Sequence, residues 1–92
     1  MPEPTFTPDQ IRAEIKRLIA NVTEREPDEI PDDASFMDDL GVDSLMAMEV
    51  MIAVDKKFKI DIPEEEFNKA KNVNDSVSMV EHWLAQRSIA TA

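Results

Sequence analysis

The sequence predicts an all-α fold: a small four-helix bundle with a long loop between the first and second helices and a short third helix. Three observations carry this. Apolar residues recur at helical spacing in three separate stretches. A helix-start signal precedes each of them. Between the first and second stretches, residues Thr23 to Val42 lack that period and are interrupted by Pro27 and Pro31.

Thr7-Pro8-Asp9-Gln10 opens the first helix. Thr7 is the cap, Pro8 takes the first helical position, and Gln10 completes a capping box. Phe6 and Ile11 occupy the two positions of a hydrophobic staple. Ile11, Ile15, Leu18 and Val22 then share a stripe about 60° wide, which places the helix over 8–22.

The tract that follows is acidic. From Glu24 to Asp43 there are nine carboxylates against one base, Arg25. Ile30, Phe36, Met37 and Leu40 are spaced as anchors to a core, so the loop is expected to be ordered. A loop this long in so small a domain is usually functional or disordered, and the anchors favour order. Ser35 is placed to cap a short turn over 36–40, with Asp38 at its third position and Gly41 as terminator. At neutral pH these carboxylates should repel one another, so salt is expected to raise the melting temperature.

Asp43 is a helix N-cap after the turn at Gly41, and Ser44 to Phe58 forms the second helix. This helix is apolar in two directions. With Leu45 at 0° and about 100° per residue, Ala47, Val50, Met51, Val54 and Phe58 gather into a core stripe. Leu45, Met48 and Ile52 gather on the opposite side, interleaved with Glu49, Asp55 and Lys56. A surface helix needs one apolar stripe. Either this helix is buried on both sides, or its second stripe docks a partner. Glu49 and Asp55 favour docking, because a buried face does not easily hold charge. Met46 and Met48 add the deformable side chains common on surfaces that accept several partners. Ser44 also has two readings. Serine and aspartate crowd helix starts everywhere, so local pattern favours ordinary helix-start chemistry over a chemical handle.

Ile60-Asp61-Ile62 is an extended link, and Pro63 opens a short third helix reaching about Lys71, with Glu64, Glu65 and Glu66 suited to its positive end. Asn72 caps the fourth helix, with Asp75 three residues on. Val73, Val77, Val80 and Leu84 share its stripe, and Trp83 covers the edge of the core. Residues 1–92 make a single domain, ordered over about 6–86, with mobile termini.

Composition removes whole classes of function. The 92 residues are 42% apolar but only 5% aromatic, so the core is aliphatic. No cysteine means no disulfide, thiolate metal site or cysteine nucleophile. A net charge of −10 argues against nucleic acid and anionic membranes, and favours partners with basic patches. No apolar run approaches the roughly 20 residues of a membrane span, and the N-terminus lacks the regions of a signal peptide. A cytoplasmic monomer is the expectation. The single histidine, His82, lies far along the fourth helix and off its apolar stripe, and reads as a solvated surface residue and not as the base of a hydrolase triad. Asp32 to Asp43 lacks the alternating ligands and central glycine of a calcium loop, so no metal site is designed there. Gly41 is the sole glycine, which excludes a glycine-rich phosphate loop. The chain does not read as an enzyme.

Phe36-Met37-Asp38-Asp39-Leu40-Gly41-Val42-Asp43-Ser44-Leu45 resembles the attachment motif of acyl carrier proteins, whose hallmark is Asp-Ser-Leu at the start of the second helix. The similarity runs from Ile11 to about Leu84. It includes Glu49 and Phe58, the Ile62-Pro63-Glu64-Glu65 link and Val73. The resemblance implies that Ser44 receives 4′-phosphopantetheine from a separate phosphopantetheinyl transferase, with Asp43 supporting arm transfer. Acyl groups then travel as thioesters on that arm. It also implies that Leu45, Met48, Glu49, Ile52 and Asp55 face acyl-chain synthesising and transferring enzymes with basic docking patches, and that the aliphatic interior shelters the acyl chain. Met46 and Lys56 depart from the pattern, standing where fatty-acid carriers often have acidic residues. Ser-Leu-Met-Ala-Met-Glu is closer to polyketide carriers, whereas Phe-Lys-Ile-Asp-Ile-Pro-Glu-Glu-Glu is closer to stand-alone fatty-acid carriers. Val42-Asp43 counts against the peptidyl carriers. The alternative of a different class is an unmodified acidic helical adaptor that uses the same stripe for protein contact alone.

Overall fold

The first helix, α1 (Pro8–Thr23), is the one the others pack against: it contacts the second and fourth helices and the loop that follows it. The computed structural model describes residues 6–90, with side chains for 6–86. Helix α2 spans Ser44–Phe58, α3 Glu64–Phe67 and α4 Val73–Ala90, and a single 3₁₀ turn lies at Pro27–Glu29. Among the described residues there is no strand, and no helix is long and apolar enough to cross a membrane.

Local chemistry sets each boundary. The Thr7 capping box forms as the sequence predicts: Thr7 N–H donates to Gln10 Oε1 at 2.9 Å, and Gln10 N–H donates to Thr7 Oγ1 at 3.1 Å. Helix α1 ends one residue past the expected Val22, where Glu24 turns left-handed and its N–H bonds the Ala20 carbonyl. Phe6 meets Phe58 edge-on at 4.8 Å between ring centroids, tying the entry of α1 to the end of α2. Asn72 caps α4 by accepting the Asp75 N–H at 2.8 Å. Helix α4 continues to Ala90.

The core is aliphatic and layered on α1. Ile11, Ile15, Leu18 and Ile19 meet Val50, Val54 and Phe58 of α2, and Val73, Val77 and Val80 of α4. Each such side chain contributes about 1.5–3 kcal/mol through its burial. Ile19 and Ala20 are buried outside the α1 stripe read from the sequence, because α1 has neighbours on more than one side.

The long loop is ordered. Ile30, Phe36, Leu40 and Val42 enter the core. Phe36 N–H bonds the Lys71 carbonyl at 2.9 Å, and Asn74 N–H bonds the Asp32 carbonyl at 3.1 Å. Asp32 also pairs with Lys16 and, at 3.0 Å, with Arg12, whose guanidinium donates to Asn74 Oδ1 at 2.7 Å. The Lys16 ammonium holds the Asp32 carboxyl below its usual range against a smaller opposing effect of burial, and Arg12 reinforces Lys16.

Three expectations need correction. Met37 is not an anchor: it is 63% exposed, because the turn that buries Phe36 and Leu40 projects the intervening side chains outward. The Ser35 side chain accepts the Asp38 N–H as expected, but Ser35 N–H donates to Asp39 Oδ2 at 2.8 Å and not to Asp38. The third helix ends at Phe67, not near Lys71. Its last turn tightens to three-residue bonds, Lys69 N–H to Glu66 and Ala70 N–H to Phe67, and Phe67 is its one buried side chain.

Candidate functional site

Gly41 controls how the chain enters α2. It has φ +70°, and a Cβ there would meet nothing within 4 Å, so backbone conformation and not space demands glycine. Its neighbours Leu40 and Val42 are both buried, and Val42 N–H closes back on the Phe36 carbonyl at 2.8 Å. The turn pins the chain on both sides and delivers Asp43 and Ser44 to the surface.

Asp43 caps α2 through Oδ1, which accepts the Met46 N–H at 2.9 Å, while its carbonyl accepts the Ala47 N–H at 2.9 Å. With that cap made, Ser44 is exposed, and its hydroxyl has no hydrogen-bond partner among the described residues. It stands at the positive end of a fifteen-residue helix. Beside it opens a cavity of about 170 Å³, walled by Met37 of the loop, Ala47, Met48 and Met51 of α2, and Phe67 of α3.

Helix α2 buries Val50, Val54 and Phe58 and exposes Leu45 (67%), Met48 (46%) and Ile52 (51%). The second stripe is therefore not buried between helices. Glu49 is exposed beside it. Asp55 differs from the other stripe residues: it is half-buried, and Oδ1 accepts the Ile62 N–H at 3.2 Å. Burial pushes its carboxyl above the usual range; the Ile62 bond opposes that push and nearby Asp61 adds to it.

The sequence reading missed Phe67, Asn68 and Met37 as walls of the serine cavity, and it assigned Met51 wholly to the core. Met51 carried a signal, since its angle on the helical wheel lies on the side of the core stripe nearer Met48. Phe67 carried none, because a four-residue helix has no periodicity to read. Among the described residues no group of three or more His, Asp or Glu side chains is arranged to hold a metal ion.

An unengaged serine at a helix start beside an apolar recess defines a helical domain suited to bearing a covalent group. Comparison with known proteins agrees. Residues 13–80 match the family described as "Phosphopantetheine attachment site". The chain is 39% identical over 72 residues to the acyl carrier protein of Rickettsia bellii, covering 78% of this chain and 84% of that one. It is 40% identical over 76 residues to that of Exiguobacterium sibiricum, covering 83% and 96%. The acyl carrier protein of Enterococcus faecalis shares the fold at a TM-score of 0.73 and 24% identity, covering 85% of this chain and 99% of that one. The HMG-ACPI domain of the CurA module from Lyngbya majuscula shares it at 0.74 and 18%, covering 94% and 90%.

The chain belongs to the acyl carrier protein family. It is a carrier and not a catalyst, its prosthetic group is 4′-phosphopantetheine, and its role entails meeting biosynthetic enzymes. The residues at α2 fit that group: the hydroxyl is accessible, the helix end favours a phosphate, and the adjoining recess is largely apolar.

Proposed function

We propose that Ser44 bears the phosphopantetheine arm and that the cargo is an acyl intermediate of fatty-acid or polyketide synthesis. The observation that carries this is the exposed, unpartnered Ser44 hydroxyl at the N-terminus of α2. When bound, the arm supplies the terminal thiol that a cysteine-free chain lacks. Ser44 offers its oxygen as the point of linkage, and the first-turn N–H groups of α2 face the phosphate that results. Asp43 holds that turn in place through its bond to Met46 N–H. Its carboxylate also stands next to the linkage, where it supports arm transfer.

Leu45, Met48 and Ile52 form the apolar centre of the surface shown to the transferase and to acyl-handling enzymes, with Glu49 meeting basic patches on them. Asp55 borders that surface while tethering the α2–α3 link. The carrier acts as a monomer in the cytoplasm.

Incubation with a phosphopantetheinyl transferase and coenzyme A should add the mass of one arm, and peptide mapping should place it on Ser44. Ser44→Ala should gain nothing. An unchanged mass with an active transferase, or an arm found at another residue, sinks this assignment. Partner binding that survives Ser44→Ala and never requires the arm would favour a simple adaptor.

A further inference from the structure

The exposed stripe of α2 carries charge of both signs, in a definite order. With Leu45 at 0° and about 100° per residue, Glu49 falls at about 40°, Ile52 at about 340° and Lys56 at about 20°. These four residues make one line along the helix, and all of them are exposed. Glu49 and Lys56 are separated by about 10 Å along the axis, at a rise of roughly 1.5 Å per residue, and Ile52 stands between them. The line therefore runs from negative near Ser44, where Asp38, Asp39 and Asp43 are also exposed, to positive at its far end.

A lysine in the last turn of a helix has an ordinary role, since it faces the negative end of the dipole. That role does not fix its position around the axis, and Lys57 already fills it. The charged residues on either side of Lys56 are engaged within the fold. The charge of Lys57 bears on Glu14 of α1, adding to the Arg17 hydrogen bond that chiefly holds that carboxyl below its usual range. Asp55 accepts the Ile62 N–H at 3.2 Å. Lys56 differs: its ammonium has no ion-pair or hydrogen-bond partner among the described residues. It projects from the same line as the apolar side chains that the fold leaves uncovered. A free cation there, on a chain of net charge −10, attracts carboxylates and repels lysines and arginines.

We propose that Lys56 is a specificity-determining residue, and that the acyl-handling enzymes this carrier serves present a mixed docking patch. The patch places a cationic side chain opposite Glu49, an apolar seat opposite Ile52, and a carboxylate opposite Lys56, about 10 Å from the cation. This rests on the reading of the outer face of α2 as the docking surface. The opposed charges fix which way along the helix the enzyme lies, so that its active site meets the Ser44 end. An enzyme that is basic along the whole patch brings like charges together at Lys56 and is rejected, which is selection by repulsion as well as by attraction.

The test uses the full chain bearing its arm, with a purified acyl-elongating synthase from the same organism that accepts the parent. Acyl transfer is measured for the parent, Lys56→Gln and Lys56→Glu at low and high salt, at a temperature where all three are folded. Lys56→Gln should raise KM about threefold and Lys56→Glu about tenfold or more, with kcat nearly unchanged. Salt should shrink both differences. In the docked complex, carbodiimide should condense the Lys56 amine with an aspartate or glutamate of the synthase, with loss of water, and peptide mass spectrometry should locate that amide. A lowered KM for Lys56→Glu would reveal a basic patch at this place and overturn the proposal, as would equal KM values for all three proteins. The Leu45→Ala, Ile52→Ala double variant separates the two readings. A parent-like KM there contradicts the docking face itself, whereas a raised KM beside unresponsive Lys56 variants contradicts the partner carboxylate alone.

Discussion

The two faces of α2 do opposite things with the same kind of residue. Val50, Val54 and Phe58 are almost wholly withdrawn from water, while Leu45, Met48 and Ile52, of similar chemistry, stay about half exposed or more. The inner face earns its stability by burial on α1. The outer face gains much less from folding, and its exposed apolar surface has value only when something covers it. Position on the helix, not residue type, separates a fold-making side chain from a partner-making one.

The largest expected effect comes from breaking the inner face. Phe58→Ala should destabilise the domain by about 3–5 kcal/mol, read from denaturant unfolding, because the ring is fully buried and also meets Phe6 edge-on. In a domain this small that is much of the total stability. Gly41→Ala should cost about 1–2 kcal/mol from left-handed strain alone, since there is room for the methyl group. It should also slow arm transfer by loosening the entry to Ser44. Ile52→Ala on the outer face should change stability by no more than about 0.5 kcal/mol, and a larger loss would mean that this face is packed in solution.

Smaller effects come from charge. The Asp32 carboxyl lies below its ordinary value in the folded chain, so the stability it contributes is present above the unfolded value and is lost as pH falls through the folded one. Asp32→Asn should therefore lower the melting temperature at neutral pH and flatten its fall on acidification. Asp55 has the opposite sign. Its folded value is raised, so the ionised form opposes folding at neutral pH, and that penalty disappears as pH falls through the folded value. Asp55→Asn keeps an acceptor for Ile62 N–H and should slightly raise the melting temperature near neutrality. A drop would show that the charge itself matters to the tether.

Much of this was legible in the sequence. The Thr7 box, the Asp43 and Asn72 caps and the three stripes each rest on contacts within a few residues, and each formed where the spacing predicted. Both faces of α2 were readable because fifteen helical residues give the period room to show. What was not legible depends on contacts between distant segments. Met37 reads as an anchor until the turn around it is built. Phe67 lines the serine recess only because α3 folds against the start of α2. The acidic loop looked self-repelling, yet Asp32 finds Arg12 and Lys16 on α1. Salt therefore screens attraction there as well as repulsion, which weakens the expected rise in melting temperature.

The central claim is that the outer face of α2 serves recognition at Ser44 and not the fold. The most direct test is the rate of arm transfer onto the Leu45→Ala, Ile52→Ala double variant, measured at a temperature where both proteins are folded. The account predicts a fall in kcat/KM of about tenfold or more, equivalent to roughly 1.4 kcal/mol of lost recognition, with an unchanged unfolding midpoint. Transfer at the parent rate with a lowered midpoint would contradict it.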